Sequence, residues 1–467
     1  MAVEQGDSYA QCLLGALYKE GVGIEQDYVK AVTLYQRAAD QGLAQAQFYL
    51  GLMYEKGYGV EEDFQKAFKY FEQSSANGCE DAKNYLVELY KTGEHLSEKA
   101  AQGDPKAQCD VGDIYYTGEA VEKDLQKAAK YYQLAADQGH IEAQYMVGVI
   151  YDNALGLEKN DEEALKYYKL AADQGYADAQ NNIGLIYRDG QGTLANEQLA
   201  MKYFQMAADQ GNANAQANLA DVYAFGQGVK QDNKKAIKLY TLSAEQGNSQ
   251  AQFNLACRYQ SGDGVKKNPL QAFKYYTLAA DQGYMTAQNN LAVMYHYGDG
   301  IKQDYNEALR YYKLAADQGD AYAQNGLGLL YVVGEGILKD AKTAFNYFKL
   351  AADNGFRDAQ FNLGQMYSAE NDIEKDQKEA VKYFKLAADQ GHRIALLNLG
   401  SMYYLGNEVK QDYNYAFKYY PLAAEQGDAQ AQNNLGIMYR DGLGVPQDLE
   451  EAARYFKLAA DQGYTGK

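Results

Sequence analysis

Residues 44–78 read AQAQFYLGLMYEKGYGVEEDFQKAFKYFEQSSANG, and this one stretch decides the fold. Counted from Gly42, its first half places Ala46, Leu50, Met53 and Tyr54 at positions 4, 8, 11 and 12. That spacing of threes and fours lines apolar side chains along one face of a helix. A glycine-bearing turn, GYGV at 57–60, follows. The second half is another helix with apolar positions 25, 28, 29, 32 and 33; in the stretch 176–211 these are Ala200, Tyr203, Phe204, Ala207 and Ala208. The pattern predicts a helix A over roughly positions 2 to 14 and a helix B over roughly 22 to 33. Neither helix can bury its stripe alone, so the two must pair and then stack on their neighbours.

The same pattern recurs along the chain. Gly6, Gly42 and Gly78, then Gly103 and every thirty-sixth residue to Gly463, close successive units; only the step from Gly78 to Gly103 is shorter, at 25 residues. A fixed period of this size marks a solenoid. The implied organisation is a single array over 1–467. Its full repeats are 7–42, 43–78, 104–139, 140–175, 176–211, 212–247, 248–283, 284–319, 320–355, 356–391, 392–427 and 428–463, with a truncated repeat at 79–103. Position 21 is Asp or Asn in all twelve full repeats, from Asp27 to Asp448, as an N-cap of helix B requires; such a cap is worth about 1 kcal/mol. Glycine at position 36 suits the left-handed residue that closes a helix. Position 12 is tyrosine in every unit from Tyr18 to Tyr439, a packing column whose hydroxyl is expected to bond a neighbouring backbone group.

Bulk composition narrows the function. The 467 residues include 63 acidic against 44 basic, a formal net charge of −19. Such a chain repels phosphate backbones and anionic lipid, which argues against nucleic-acid partners and membrane surfaces. No run approaches membrane-spanning length, so no direct membrane insertion is expected. Cys12, Cys79, Cys109 and Cys257 form neither a disulfide framework nor a zinc spacing, and MAVEQGDSYAQ does not resemble a signal peptide. Both features favour a cytoplasmic chain. His95, His140, His296 and His392 are scattered over different units, and no phosphate loop, nucleophile elbow or metal signature appears. The sequence thus offers no catalytic residue, no cofactor site and no metal site, and an enzyme is the least expected class.

By this point the residues resemble a family. AQAQFYLGLMYEKGYGVEEDFQKAFKYFEQSSANG (44–78) and ADAQNNIGLIYRDGQG (177–192) are similar to the Sel-1-like repeat, a relative of the tetratricopeptide repeat. The shared features are Ala and Gln early in helix A, Leu-Gly, Tyr, a Gly-x-Gly turn and the closing AADQG. The resemblance covers residues 7 to 463. It implies an all-α, right-handed α-solenoid superhelix of antiparallel helix pairs that acts as a scaffold or adaptor and binds protein or peptide partners. It also implies that helix A lines the concave groove.

Three departures from the repeat stand out. The unit 79–103 lacks eleven residues, keeping helix A (DAKNYLVELYKTG, 81–93) but shrinking helix B to a stub, either a tolerated deletion or a hinge. Pro421 falls inside helix B of 392–427, where it removes a backbone bond and is expected to kink the helix. An acidic column at position 34, from Asp40 to Asp461, opposes the helix dipole unless it meets donors of the next helix A or the Lys/Arg column at position 27.

Positions that vary are where function is sought. Positions 6, 10 and 13 lie opposite the core stripe of helix A as one ridge. They carry Phe48, Tyr145, Phe253, Phe361 and Leu397; Leu52, Val149, Leu185, Val293 and Leu329; and Tyr116, Arg188, His296, Tyr404 and Arg440. Aromatics on an open ridge look like interface anchors, though packing against the adjacent helix A would bury them. Position 7 is asparagine at Asn182, Asn218, Asn254, Asn290, Asn362, Asn398 and Asn434. Asparagine is a poor mid-helix residue, so this stripe either grips the backbone of an extended peptide or bonds internally to the next repeat. AVEQG at the start looks like the tail of a missing unit, so the chain may be read as the regulatory or targeting region of a larger protein. Uncapped ends also invite head-to-tail stacking into a weak homo-oligomer.

Overall fold

The structure is a computed structural model that describes residues 3, 6–92, 99–118, 121–334, 336–369, 373–407 and 409–464. Among the described residues every regular element is a helix, and successive helices pack in antiparallel pairs, an α-solenoid arrangement. Helix A of the repeat 43–78 spans Ala44–Lys56 and helix B spans Phe64–Ala76, both 13 residues long. The chain divides into two compact units, Met1–Ala215 and Gln216–Lys467. No described helix is long and apolar enough to cross a membrane.

Each repeat holds together through a fixed set of contacts. The N-cap column forms as expected: Asp27 accepts from the Lys30 N–H, Asp124 from Lys127 and Asn196 from Leu199. The core of the pair is alanine at positions 25, 32 and 33 around a large ring at position 29, such as Tyr35, Phe71, Tyr168 and Phe348, all below 3 % exposed. Glycine at position 9 receives that ring. A Cβ on Gly148 would stand 2.5 Å from Tyr168, and one on Gly328 2.4 Å from Phe348. Glycine at position 15 ends most of the A helices in the left-handed region, as Gly57 and Gly190 do. Ala154 takes that conformation at φ 55° in the repeat 140–175, a strained choice for a residue with a Cβ, and the helix Arg357–Ser368 ends instead on an extended Ala369.

The tyrosine column is tied by its ring and its carbonyl rather than by the hydroxyl that the sequence singled out. The rings stack in parallel on position 28 of helix B, as in Tyr54–Tyr70 at 5.8 Å and Tyr259–Tyr275 at 6.0 Å. The Tyr54 and Tyr259 carbonyls accept the N–H groups of the cap residues Asp63 and Asn268. Lys or Arg at position 27 covers the partner ring, Arg310 lying 3.9 Å from the centroid of Tyr311. The same basic residues pair with Glu at position 24, as Lys166 does with Glu163 at 2.8 Å. Among the described residues no ion pair joins the acidic column at position 34 to them. Three of its members accept instead from a glutamine one turn earlier: Gln36 to Asp40, Gln133 to Asp137 and Gln205 to Asp209, at 2.7–2.8 Å.

Repeats are joined by a buried amide relay. Glutamine at position 35 donates to glutamine at position 5 of its own repeat, as Gln174 does to Gln144 at 2.8 Å. That second amide donates to the position-33 carbonyl of the preceding helix B, as Gln144 does to Ala136 at 3.3 Å. Where both bonds form, the buried amide is satisfied by partners from two repeats, which removes the cost of desolvating it.

At the shortened unit, helix A survives as Glu80–Thr92, and Tyr85 donates to Glu55 at 2.8 Å and packs on Phe71 at 5.0 Å. Most of the expected helix-B stub, 93–98, lies outside the described residues. Its closing end is intact: Ala100 is buried and its carbonyl accepts from Gln108 at 3.0 Å, the same relay bond that Gln144 makes to Ala136. Pro421 does not interrupt its helix, which runs unbroken over Tyr413–Glu425 at the usual 13 residues. Packing of both flanking rings, Tyr419 and Tyr420, holds the segment helical where propensity alone would not.

Candidate partner-binding surface

The helix-A ridge is more buried than its sequence suggested. Phe48 and Phe361 are only 9 % and 8 % exposed, against the position-29 rings Phe71 and Phe384 at 5.8 Å. Tyr145 and Phe253 are half-buried on Tyr168 and Tyr276 and meet Tyr176 and Tyr284 of the following repeats at 5.0 and 5.1 Å. These rings are spent on inter-repeat packing. His296 is buried as well, stacked on Tyr297 at 4.4 Å. Tyr116 and Tyr404 are half-buried, edge-on to Tyr132 and Tyr413. Leu397 packs beside the core of its unit, and Leu52, Val149, Leu185 and Val293 are half-buried. What the ridge exposes is Leu329 and the arginines Arg188 and Arg440, each clamped onto its own neighbour, Asp189 or Asp441.

The asparagine stripe falls into two groups. Before Asn182, Asn254, Asn290 and Asn434, position 29 of the preceding helix B is a buried tyrosine whose hydroxyl emerges beside position 7; before Asn218, Asn362 and Asn398 it is phenylalanine. Asn290 donates to the Tyr276 hydroxyl at 3.2 Å, and Asn182 and Asn434 hold Tyr168 and Tyr420 in the same way. Burial pushes the Tyr420 hydroxyl up to about 12, so it stays protonated and donates onward to Ser401 at 3.2 Å. Asn254 donates instead to Asp221 at 3.2 Å, and Asn362 to Asn325 at 2.9 Å. Asn218 is half-buried in the same row.

Asn398 differs. Position 29 before it is Phe384, which offers no hydroxyl, Phe361 stands where Asn325 serves Asn362, and the Asn398 amide has no hydrogen-bond partner among the described residues. It lines a cavity of about 440 Å³ with Gln365, Ser368, Ser401, Met402 and Leu405. Small side chains at positions 10 and 13 open that space: Ser401 and Ser368 stand where other repeats carry leucine, tyrosine or arginine.

Sequence reasoning passed over two further features. Helix B carries leucine or methionine at position 31 in ten consecutive repeats, and each is partly exposed, from 37 % at Met206 to 51 % at Leu350. The signal was present in the recurring KLAADQG, hidden because the neighbouring alanines read as core. The second is a polar group in the first unit. Cys109, His140 and Glu142 place a sulfur, an imidazole nitrogen and a carboxylate oxygen within 4.8 Å of one another. Asp113 lies beside them, accepting from Tyr132 at 2.6 Å, with burial the main cause that raises its carboxyl. Burial likewise pushes the Cys109 thiol up to about 12.

Comparisons with known proteins fit this architecture. The Sel1 repeat model matches residues 8–43, 44–79, 105–140, 141–176, 177–212, 213–248, 249–284, 286–320, 321–356, 357–392, 393–428 and 429–464. Among solved structures, the chain is similar to c5321, a protective antigen of uropathogenic Escherichia coli strains with an SLR fold. The identity is 30 % over 99 % of this chain and 94 % of that one, with a TM-score of 0.64. A Sel1 repeat protein from Oxalobacter formigenes is 32 % identical over 50 % of this chain and 95 % of that chain, with a TM-score of 0.45. No curated protein matches the chain. Proteins built from these repeats are typically protein-interaction scaffolds and generally non-catalytic. Twelve matches laid over a stack of paired helices settle the kinship: the chain belongs to the Sel1 repeat family.

Proposed function

We propose that the protein is a non-enzymatic scaffold that binds an extended segment of a protein partner on the helix-A face of its repeats. The observation that carries this reading is the cavity at Asn398. An unpartnered amide beside Ser368, Ser401 and Gln365 offers donors and acceptors to a peptide backbone, and Met402 and Leu405 supply apolar floor. Polar groups converging on a modest apolar pocket are what a recognition site requires. The partnered asparagines play a different part. Asn182, Asn290 and Asn434 fix buried tyrosine hydroxyls, so their contribution is to stability.

The distinction gives a direct test. A crosslinking pulldown with the full chain is repeated with Asn398→Ala and Ser401→Leu, alongside Asn290→Ala. Capture of the partner should fall several-fold in the first two while their melting temperatures hold. Asn290→Ala should melt earlier and, while folded, capture as wild type does. Undiminished capture by Asn398→Ala and Ser401→Leu, with loss on Leu278→Lys and Leu314→Lys, would place recognition on the helix-B leucine row and overturn the proposal.

A further inference from the structure

Position 6 of one repeat meets position 1 of the next at several junctions. Where both are rings the contact is aromatic: Tyr145 on Tyr176 at 5.0 Å, Phe253 on Tyr284 at 5.1 Å and Phe361 on His392 at 4.3 Å. At the junction of 104–139 with 140–175 the two positions hold Cys109 and His140, and Glu142 adds a carboxylate two residues on. We propose that Cys109, His140 and Glu142 form a binding site for a thiophilic divalent transition-metal ion, with zinc the favoured occupant.

The donor set argues for it. One thiolate, one imidazole and one carboxylate match the ligand preferences of zinc, and three protein ligands leave a fourth position for water. Ligand atoms at 2.0–2.3 Å from a tetrahedral zinc stand roughly 3.3–3.8 Å apart. The three atoms here already lie within 4.8 Å, so side-chain adjustments of about 1 Å close the site. The imidazole is lightly committed elsewhere, since its Nδ1 accepts the Ala143 N–H at a long 3.3 Å. Binding exchanges the Cys109 thiol proton, released to solvent, for a sulfur–metal bond and involves no redox change. The ion would sit among carboxylates it neutralises. Asp113, fixed by Tyr132, is placed to orient a ligand from outside the shell.

The array supplies its own controls. Cys12 occupies the same position as Cys109 but packs with Leu43, in a repeat whose position 3 is Gln45. His392 occupies the same position as His140 but faces Phe361. Neither can assemble the three ligands.

Cobalt(II), which reports thiolate ligation by near-ultraviolet charge-transfer absorption, is titrated into the reduced full-length chain. The expected result is a saturable thiolate–cobalt band, displaced by zinc. It should vanish in Cys109→Ser, persist in Cys12→Ser, and require at least about ten-fold more metal in Glu142→Gln and in His140→Asn, which keeps the helix cap. Circular dichroism checks that each variant is folded. No thiolate–cobalt band in the wild type, or a band that Cys109→Ser leaves intact, overturns the proposal. Neither outcome bears on the peptide cavity, which lies in the other unit.

Discussion

Glutamine 324 shows what a single side chain contributes to this array. Its Oε1 is buried with no hydrogen-bond partner, whereas Gln288 and Gln360 each receive the amide of Gln318 or Gln390. The residue that would reach it is Asn354, one methylene shorter than the usual position-35 glutamine. Asparagine can serve there, since Asn77 bridges to Gln47 at 2.9 Å, but in this repeat the gap stays open. Replacing Asn354 with Gln should recover about 1 kcal/mol, the worth of satisfying one buried carbonyl. Chemical denaturation of the two chains measures it, and an unchanged midpoint would show that the orphan is already compensated. At this scale the sequence was legible where chemistry is local. The cap at position 21 and the closing glycine each answer to their own helix. The amide relay and the cysteine–histidine contact were not legible, because their partners lie on different helices, 30 or more residues apart for the glutamine–glutamine bond and for Cys109 with His140.

At the scale of the helix, tertiary packing outweighs propensity. Tyr413–Glu425 keeps its full length through Pro421 because Tyr419, Tyr420, Ala423 and Ala424 are all buried against neighbours. The proline still forfeits a backbone bond, and sister repeats carry lysine at that position, among them Lys385 and Lys457. Pro421→Lys should therefore stabilise the C-terminal repeats by roughly 1–3 kcal/mol. Hydrogen exchange across 413–461 is the appropriate readout; faster exchange in the variant would contradict the reasoning. Helix boundaries and the pairing of helices were legible in the spacing of apolar residues, since the stripe dictates both. The exposure of the ridge was not. A helical wheel places Phe48 and Phe361 opposite the apolar stripe of helix A, but it cannot see Phe71 and Phe384 of the paired helix B, or Tyr85 and His392 of the following repeats, which pack on them. The same limit applied to Asn398, whose freedom depends on both Phe361 and Phe384 of the preceding repeat.

For the whole molecule, stability resides in junctions between neighbours rather than in one centre. Contacts join each helix pair to the next and reach little further, so the array is close to a one-dimensional sum of repeat and junction terms. The amide relay has a consequence here for how such a chain changes its length. Wherever position 5 is glutamine the junction bond runs to position 33 of the repeat before, as at Gln252, Gln288 and Gln432, while Leu396 leaves one junction without it. Excising 248–283 would bring Gln288 under the Ala244 carbonyl, the acceptor that Gln252 now uses at 3.1 Å. The shortened chain should fold, with its helical signal per residue unchanged and a modestly lower melting temperature. Excising eighteen residues from the same point should leave much of the chain unfolded. If both deletions behave alike, the junctions are not interchangeable. Interchangeable junctions would let unequal crossing-over in the gene add or remove recognition sites in steps of 36 residues, with every intermediate length a folded protein.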